Sequence, residues 1–255
     1  MIKGIYTAAS GMMLGQTRQD TLANNLANVS TCGYKKDRVA SSSFPGMLLN
    51  RIENRGSNPN SMSSTVNPIG LLSSGAAVGT ISTDFGEGNL RPTENPLDLA
   101  LGNESYFVVS TPEGERFTRD GQFTLNSDGV LTDQQGRAVM DFDDQEITLN
   151  QDFSIDSSGN IFENGAAVDT LKIVHFADPL SLKKEGSNLV VSTTEPVIDE
   201  NPQVKQGYLE ESNVNAISEM VDLIKVVRSY ESLQKVVQAE DETLQTTIEK
   251  VGSAR

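Results

Sequence analysis

VNAISEMVDLIKVVRSYESLQKVVQAEDETLQTTIEKV, residues Val214 to Val251, contains neither glycine nor proline, and its apolar residues return at Ile217, Val221, Ile224, Val227, Tyr230, Val237, Leu244, Ile248 and Val251. Steps of three, four and seven keep these side chains on one face of a 3.6-residue helix, so the spacing predicts a single long helix. Asn213 or Asn215 can cap its start, because a side-chain oxygen there accepts a bond from an otherwise orphaned backbone N–H. At a rise of ~1.5 Å per residue the helix reaches roughly 55 Å, longer than a small domain requires. Periodicity alone leaves the alternative open that it is a core helix folded onto the chain's own β domain.

The opposite end carries a second helical pattern. Ile5, Ala9, Met12, Ala23 and Leu26, with Gln16 and Gln19 between them, follow alternating steps of four and three, a heptad seam. The seam is weak, since Gly4, Gly11 and Gly15 each cost about 1 kcal/mol relative to alanine in a helix interior. It is expected to gain order on meeting other helices, from which short helices draw most of their stability.

Between the helices the punctuation is that of strands and turns. Ser105-Tyr-Phe-Val-Val109, Arg116-Phe-Thr118 and Gln122-Phe-Thr-Leu125 read as strands, and Asp128-Gly129 is a hairpin signal because both residues tolerate positive φ. Leu125 to Leu131 followed by Gly136 to Val139 parallels Ile155 to Ile161 followed by Gly165 to Val168, which predicts two similar hairpins. From about Val39 to Asp84 apolar residues thin out apart from Met47-Leu-Leu49 and Gly70-Leu-Leu72, and the stretch reads as an extended connector ordered by neighbouring subunits. The fold class is therefore α+β, with N- and C-terminal helices forming a coiled-coil-like helical domain and with a central, mostly antiparallel β domain. The expected boundaries are 1–35 for the first helix, 36–84 for the connector, 85–211 for the β domain and 212–255 for the last helix.

Charge and composition narrow the chemistry. A net charge of −15 argues against a nucleic-acid partner, which needs a basic footprint. The charge is uneven: residues 1–55 carry 7 Lys/Arg against 3 Asp/Glu, whereas 141–211 carry 4 against 15, so the chain start is chemically unlike the middle. Cys32 is the single cysteine and His175 the single histidine, which excludes an intrachain disulfide, a multi-cysteine metal site and any scheme needing two imidazoles. His175 reads as a half-buried strand residue. Asp141, Asp143, Asp144 and Glu146 lack the glycine and closing glutamate of a calcium loop, and Gly86-Glu-Gly88 lacks the rest of a dinucleotide fingerprint. No catalytic residue, metal ligand or cofactor is expected. No apolar run approaches the ~20 residues that span a bilayer, and the start lacks the apolar block of a cleavable signal peptide.

Thr21-Leu-Ala-Asn-Asn-Leu-Ala-Asn-Val-Ser-Thr-Cys-Gly-Tyr-Lys35 resembles the N-terminal signature of flagellar rod and hook proteins, Ala-Asn-Asn-x-Ala-Asn-x-x-Thr-x-Gly-Phe/Tyr-Lys, and Asn24, Asn25, Asn28, Thr31, Gly33, Tyr34 and Lys35 all match it. The three asparagine amides are suited to bonds between subunits, and Gly33 permits a sharp exit from the helix. The likeness continues through Gly4 to Gly11, Asn95 to Leu101, Phe117-Thr-Arg-Asp-Gly121 and Gly207-Tyr-Leu-Glu-Glu-Ser-Asn-Val-Asn215.

Resemblance to this family implies a non-enzymatic subunit that self-associates helically, with helices around a central channel and β domains outward. It implies other rod proteins and hook components as partners, and passage through the flagellar type III export apparatus without a cleavable signal into a rod within the periplasm. Ile217, Val221, Ile224 and Tyr230 are the expected assembly face of the last helix. The ending Asp241-Glu-Thr-Leu244 with Glu249-Lys-Val-Gly252 is more similar to proximal rod proteins, while the connector and Leu209 to Asn215 suit the distal type equally. The proximal type is the expectation. The rival from another class is a secreted β-rich binding or hydrolytic protein.

Overall fold

A computed structural model describes residues 2–54, 64–150 and 153–252. Helix α1 spans Ile2–Ala27 and helix α2 spans Ala216–Gly252, and the described residues between them in the chain are mainly strands and turns. The chain divides into two compact units, one of residues 1–23, 38–82 and 220–255, the other of residues 24–37 and 83–219.

In the second unit the centre is a six-stranded sheet in the order Leu182–Gly186, Leu189–Ser192, Gly114–Thr118, Ser105–Thr111, Ile173–His175, Val197–Ile198, each ladder antiparallel. Ser105 to Val109 is buried throughout because both sheet faces are covered. The period-2 alternation sends Phe107 and Val109 into one apolar cluster with Phe123, Val139 and Ile173, and Tyr106 and Val108 into another with Phe85, Phe117 and Phe176. Edge-to-face contacts at 5.0 Å for Phe107 with Phe123 and 4.9 Å for Phe117 with Phe176 fix the ring geometry in each.

The internal repeat is realised as matched turns. Leu125 pairs with Leu131 and Ile155 with Ile161, antiparallel. Asn126 Oδ1 accepts from the amides of Asp128 and Val130, and Asp156 Oδ1 accepts from those of Ser158 and Asn160. The acidic cluster contains the same device: Asp141 Oδ1 accepts from the amides of Asp143 and Gln145, so its leading carboxylate closes a turn. No group of three or more potential metal ligands forms among the described residues.

In the first unit, the stretch expected as an extended connector, of which 55–63 lie outside the described residues, contains paired strands. Strand β1 (Asp37–Ser43) lies beside β4 (Ala76–Thr83), and β2 (Met47–Asn54) forms an antiparallel hairpin with β3 (Ser64–Leu72). Low apolar density concealed these strands because they bury little: Met47, Leu48, Leu71 and Leu72 remain exposed. The three glycines of α1 face α2. A side chain at Gly4 would meet Glu240, one at Gly11 would come within 2.9 Å of Leu233 Cδ1, and one at Gly15 would reach Tyr230, an antiparallel order. Positions counted as helix-weakening are therefore seats for side chains of the other helix. The heptad seam is not the buried face: Gln16, Gln19 and Ala23 are exposed, while Ala8, Ser10 and Leu14 are buried.

Candidate functional site

The end of α1 runs into the turns of residues 28–33, and Gly33 (φ +66°) is where the chain reaches the β unit. A Cβ there would lie 2.5 Å from the Arg119 carbonyl carbon, so glycine is required by both conformation and contact. Its N–H donates to the Glu210 carbonyl at 2.9 Å. Tyr34, next along, folds its ring under the Lys184 ammonium at 4.2 Å and donates its hydroxyl to Asn24 Oδ1 at 2.9 Å and Asn25 Oδ1 at 3.2 Å. Burial first, then the Asp37 and Glu219 carboxylates, pushes the Tyr34 phenol up to about 12, so it remains a hydrogen-bond donor across the physiological range.

Asn25 is 1% exposed and uses both ends of its amide within the chain. Its Nδ2 donates to the Asp37 carbonyl at 2.9 Å and to Glu219 Oε2 at 3.3 Å, and its Oδ1 also accepts from the Asp37 amide at 3.0 Å. Asn28 Nδ2 donates to the Asn24 carbonyl at 2.9 Å, and Thr31 Oγ1 donates to Asn28 Oδ1 at 3.3 Å. The side chains of all three signature asparagines thus take part in hydrogen bonds within the chain.

Lys35 carries the junction inward. Its ammonium, 3% exposed, meets Glu210 Oε1 at 2.5 Å, and Arg119 Nη1 meets Glu210 Oε2 at 3.1 Å. The Gly88 amide donates to Glu210 Oε1 as well, at 2.8 Å. Asn213, foreseen as a possible cap, instead accepts from the Lys36 amide at 2.8 Å and donates to the Asp84 carbonyl at 2.8 Å. The cap of α2 is Asn215, whose Oδ1 accepts from the Ser218 amide at 3.1 Å. A cavity of about 390 Å³ lies beside this junction, lined among others by Asn24, Asn28, Tyr34, Asp120 and Lys184.

The sequence reading missed Lys184, Asp37 and the roles of Arg119 and Glu210, although Arg119 and Glu210 lie inside two of the quoted motifs. Stretches 24–35, 117–121 and 207–215, remote in sequence, converge on one site. Of the residues expected on α2, Ile217 is 75% exposed, Val221 46% and Ile224 50%, whereas Tyr230 is half-buried against Gly15. The structure brings the signature residues together. Cys32 is half-buried; burial first, then Asp120, raises its thiol, which stays protonated. His175 is half-buried in its strand.

The pattern of the family described as "Flagella basal body rod protein" matches residues 5–35, ending on Lys35. That of "Flagellar hook protein FlgE/F/G D1 domain" matches 100–165, and that of "Flagellar basal body rod FlgEFG protein C-terminal" matches 205–250. The chain is 34% identical to the flagellar hook-basal body complex protein FlhO of Bacillus subtilis, over 99% of both chains. The chain belongs to the flagellar basal-body rod protein family. Other members of the family it resembles are the basal-body rod protein FlgG of Bacillus subtilis, 32% identical over 97% of this chain and 98% of FlgG, and FlgF of Rhizobium meliloti, 31% identical over the whole of both. Rod-family proteins are structural subunits, not enzymes, which removes the hydrolytic reading. The matched ends of the family pattern contribute the two sides of the junction, Asn24 to Lys35 and Leu209 to Asn215.

Proposed function

We propose that this rod-family chain is a structural subunit of the flagellar drive shaft, of the proximal type, joined head-to-tail in a helical assembly with copies of itself, other rod proteins and hook components. The single observation that carries the assembly reading is α2. It runs for 37 residues without one buried side chain, yet keeps apolar Ile217, Val221 and Ile224 on steps of four and three. A helix of this composition gains most of its stability from packing, and a face left open in one subunit is supplied by the next in a filament. Coiled-coil-like association of these helices is part of the proposal, as are Ile217, Val221, Ile224 and Tyr230 as contact positions. The signature residues Asn24, Asn25, Asn28, Thr31, Gly33, Tyr34 and Lys35 enter it as the joint behind those contacts.

The proposal includes passage through the flagellar type III export apparatus and residence in the periplasmic rod. None of the described helices is long and apolar enough to cross a membrane. The proximal type is favoured by the ending Asp241 to Leu244 with Glu249 to Gly252; relatives named FlgF and FlgG match at nearly equal identity, so the distal position is the second reading. Deletion of the gene and negative-stain microscopy of the basal bodies test the function. Loss of rod, hook and filament supports it, and intact swimming cells overturn it.

A further inference from the structure

Glu210 stands where three segments meet. Arg119 is held by the β unit independently of Glu210, since it donates to the Asn103 carbonyl and lies 5.1 Å over the Tyr106 ring. Lys35 arrives from the turn after α1, and Glu210 from the strand Tyr208–Glu210 that leads to α2. Side-chain exposures of 2–3% at all three leave two cations and a single carboxylate out of water, an excess positive charge. Buried charge of this kind is stabilised only by its partner, and removing one partner is far more disruptive than removing both.

We propose that Glu210 is a positioning residue: its carboxylate, shared between Lys35 and Arg119, fastens the signature turn and the approach to α2 onto the β unit by bridging two cations that otherwise repel each other. The bonds donated by the Gly33 amide to the Glu210 carbonyl, by the Lys36 amide to Asn213 Oδ1 and by the Asn213 amide to the Tyr34 carbonyl close only when that repulsion is held down. Lys35 is the dispensable member. Its ammonium also donates to the Gly86 carbonyl at 2.9 Å, but without it that carbonyl still accepts from Asn213 Nδ2 at 3.2 Å, Glu210 Oε1 still accepts from the Gly88 amide, and a one-to-one pair with Arg119 remains. This inference goes beyond the rod reading and stands without it.

The site also carries a pH signature. Burial first, opposed by Glu210 and reinforced by Arg119, holds the Lys35 amine below its ordinary value, with Glu87 the other carboxylate acting on it. Tyr106, whose ring lies under Arg119, is pushed up to about 12 by burial and stays neutral. A lysine depressed in the folded state burdens it at neutral pH, and the burden lifts as pH rises through the folded pKa. Removing Glu210 takes away the one strong pull in the opposite direction, so the burden deepens.

Amide hydrogen exchange on the full chain reads the joint directly. At pH 7, Glu210→Gln should exchange about 100-fold faster at Gly33, Lys36 and Asn213, with the Ser110 and Met140 amides of the β unit unchanged. Lys35→Met alone should stay within about threefold of the unaltered chain, and adding it to Glu210→Gln should recover at least about tenfold. Between pH 7 and pH 10 the excess exchange of Glu210→Gln over the double variant should shrink. If Glu210→Gln fails to fold at neutral pH, folding of the double variant there supports the same conclusion. Opening by Lys35→Met as large as by Glu210→Gln, or no recovery in the double variant, overturns it.

Discussion

Gly33 and Tyr34 separate two kinds of requirement within one signature. At Gly33 even a methyl group collides with the Arg119 and Asp120 backbone, which has no rotamer with which to yield. Gly33→Ala should therefore destabilise the chain by at least about 3 kcal/mol, read as a fall in the urea midpoint. Tyr34→Phe removes only a hydroxyl, and both its acceptors keep another donor, Asn28 Nδ2 for Asn24 and the Asp37 amide for Asn25. Its cost should be about 1 kcal/mol in the same measurement, and a loss as large as that of Gly33→Ala would contradict the bonding described. The need for glycine was legible in the sequence as a sharp turn. The partners of the asparagines were not, because an amide's hydrogen-bonding capacity is visible in sequence while the tertiary position of Asp37 or Tyr34 beside it is not.

At the scale of elements, both helices were legible from apolar spacing, and α2 also from its freedom from glycine and proline up to Val251, but their faces were not. Helix propensity counts Gly11 as a defect, and the structure makes it a seat for Leu233. Gly11→Leu sets these two descriptions against each other: propensity alone gains about 1 kcal/mol, whereas overpacking against α2 costs about 1–3 kcal/mol. Circular dichroism should show helix melting at lower temperature in the variant, and melting at higher temperature would show that the seat is unimportant. Ile224 tests the other face. It is half-exposed in the single chain, so Ile224→Asp should change folding by less than about 0.5 kcal/mol, yet it should cost several kcal/mol in each dry subunit contact. The variant should be exported and folded but build no rod, scored by motility and microscopy. Strands β1 to β4 escaped the sequence reading because pairs exposed on both faces carry no alternating apolar signal.

On the scale of the whole molecule, the division into two compact units does not follow chain order. Residues 24–37 and 83–219 form one of them, so the signature belongs with the β structure and the first turns of α1 do not. Limited trypsin digestion should leave a resistant fragment covering 83–219 with the peptide containing 24–37 still bound, detected by co-elution before denaturation and mass spectrometry after it. Release of that peptide under native conditions would break the account of the junction. Sequence spacing could reveal three motifs but not their convergence, since nothing local in 24–35, 117–121 or 207–215 encodes the distance between them. The central claim, that this chain is an axial structural subunit whose unburied helix face is completed by its neighbours, is tested most directly by a side-chain-resolution map of purified basal bodies. The expected map places the chain in the rod wall with Ile217, Val221 and Ile224 covered by adjacent subunits; a complete rod lacking this chain, or one in which those side chains still face solvent, would contradict it.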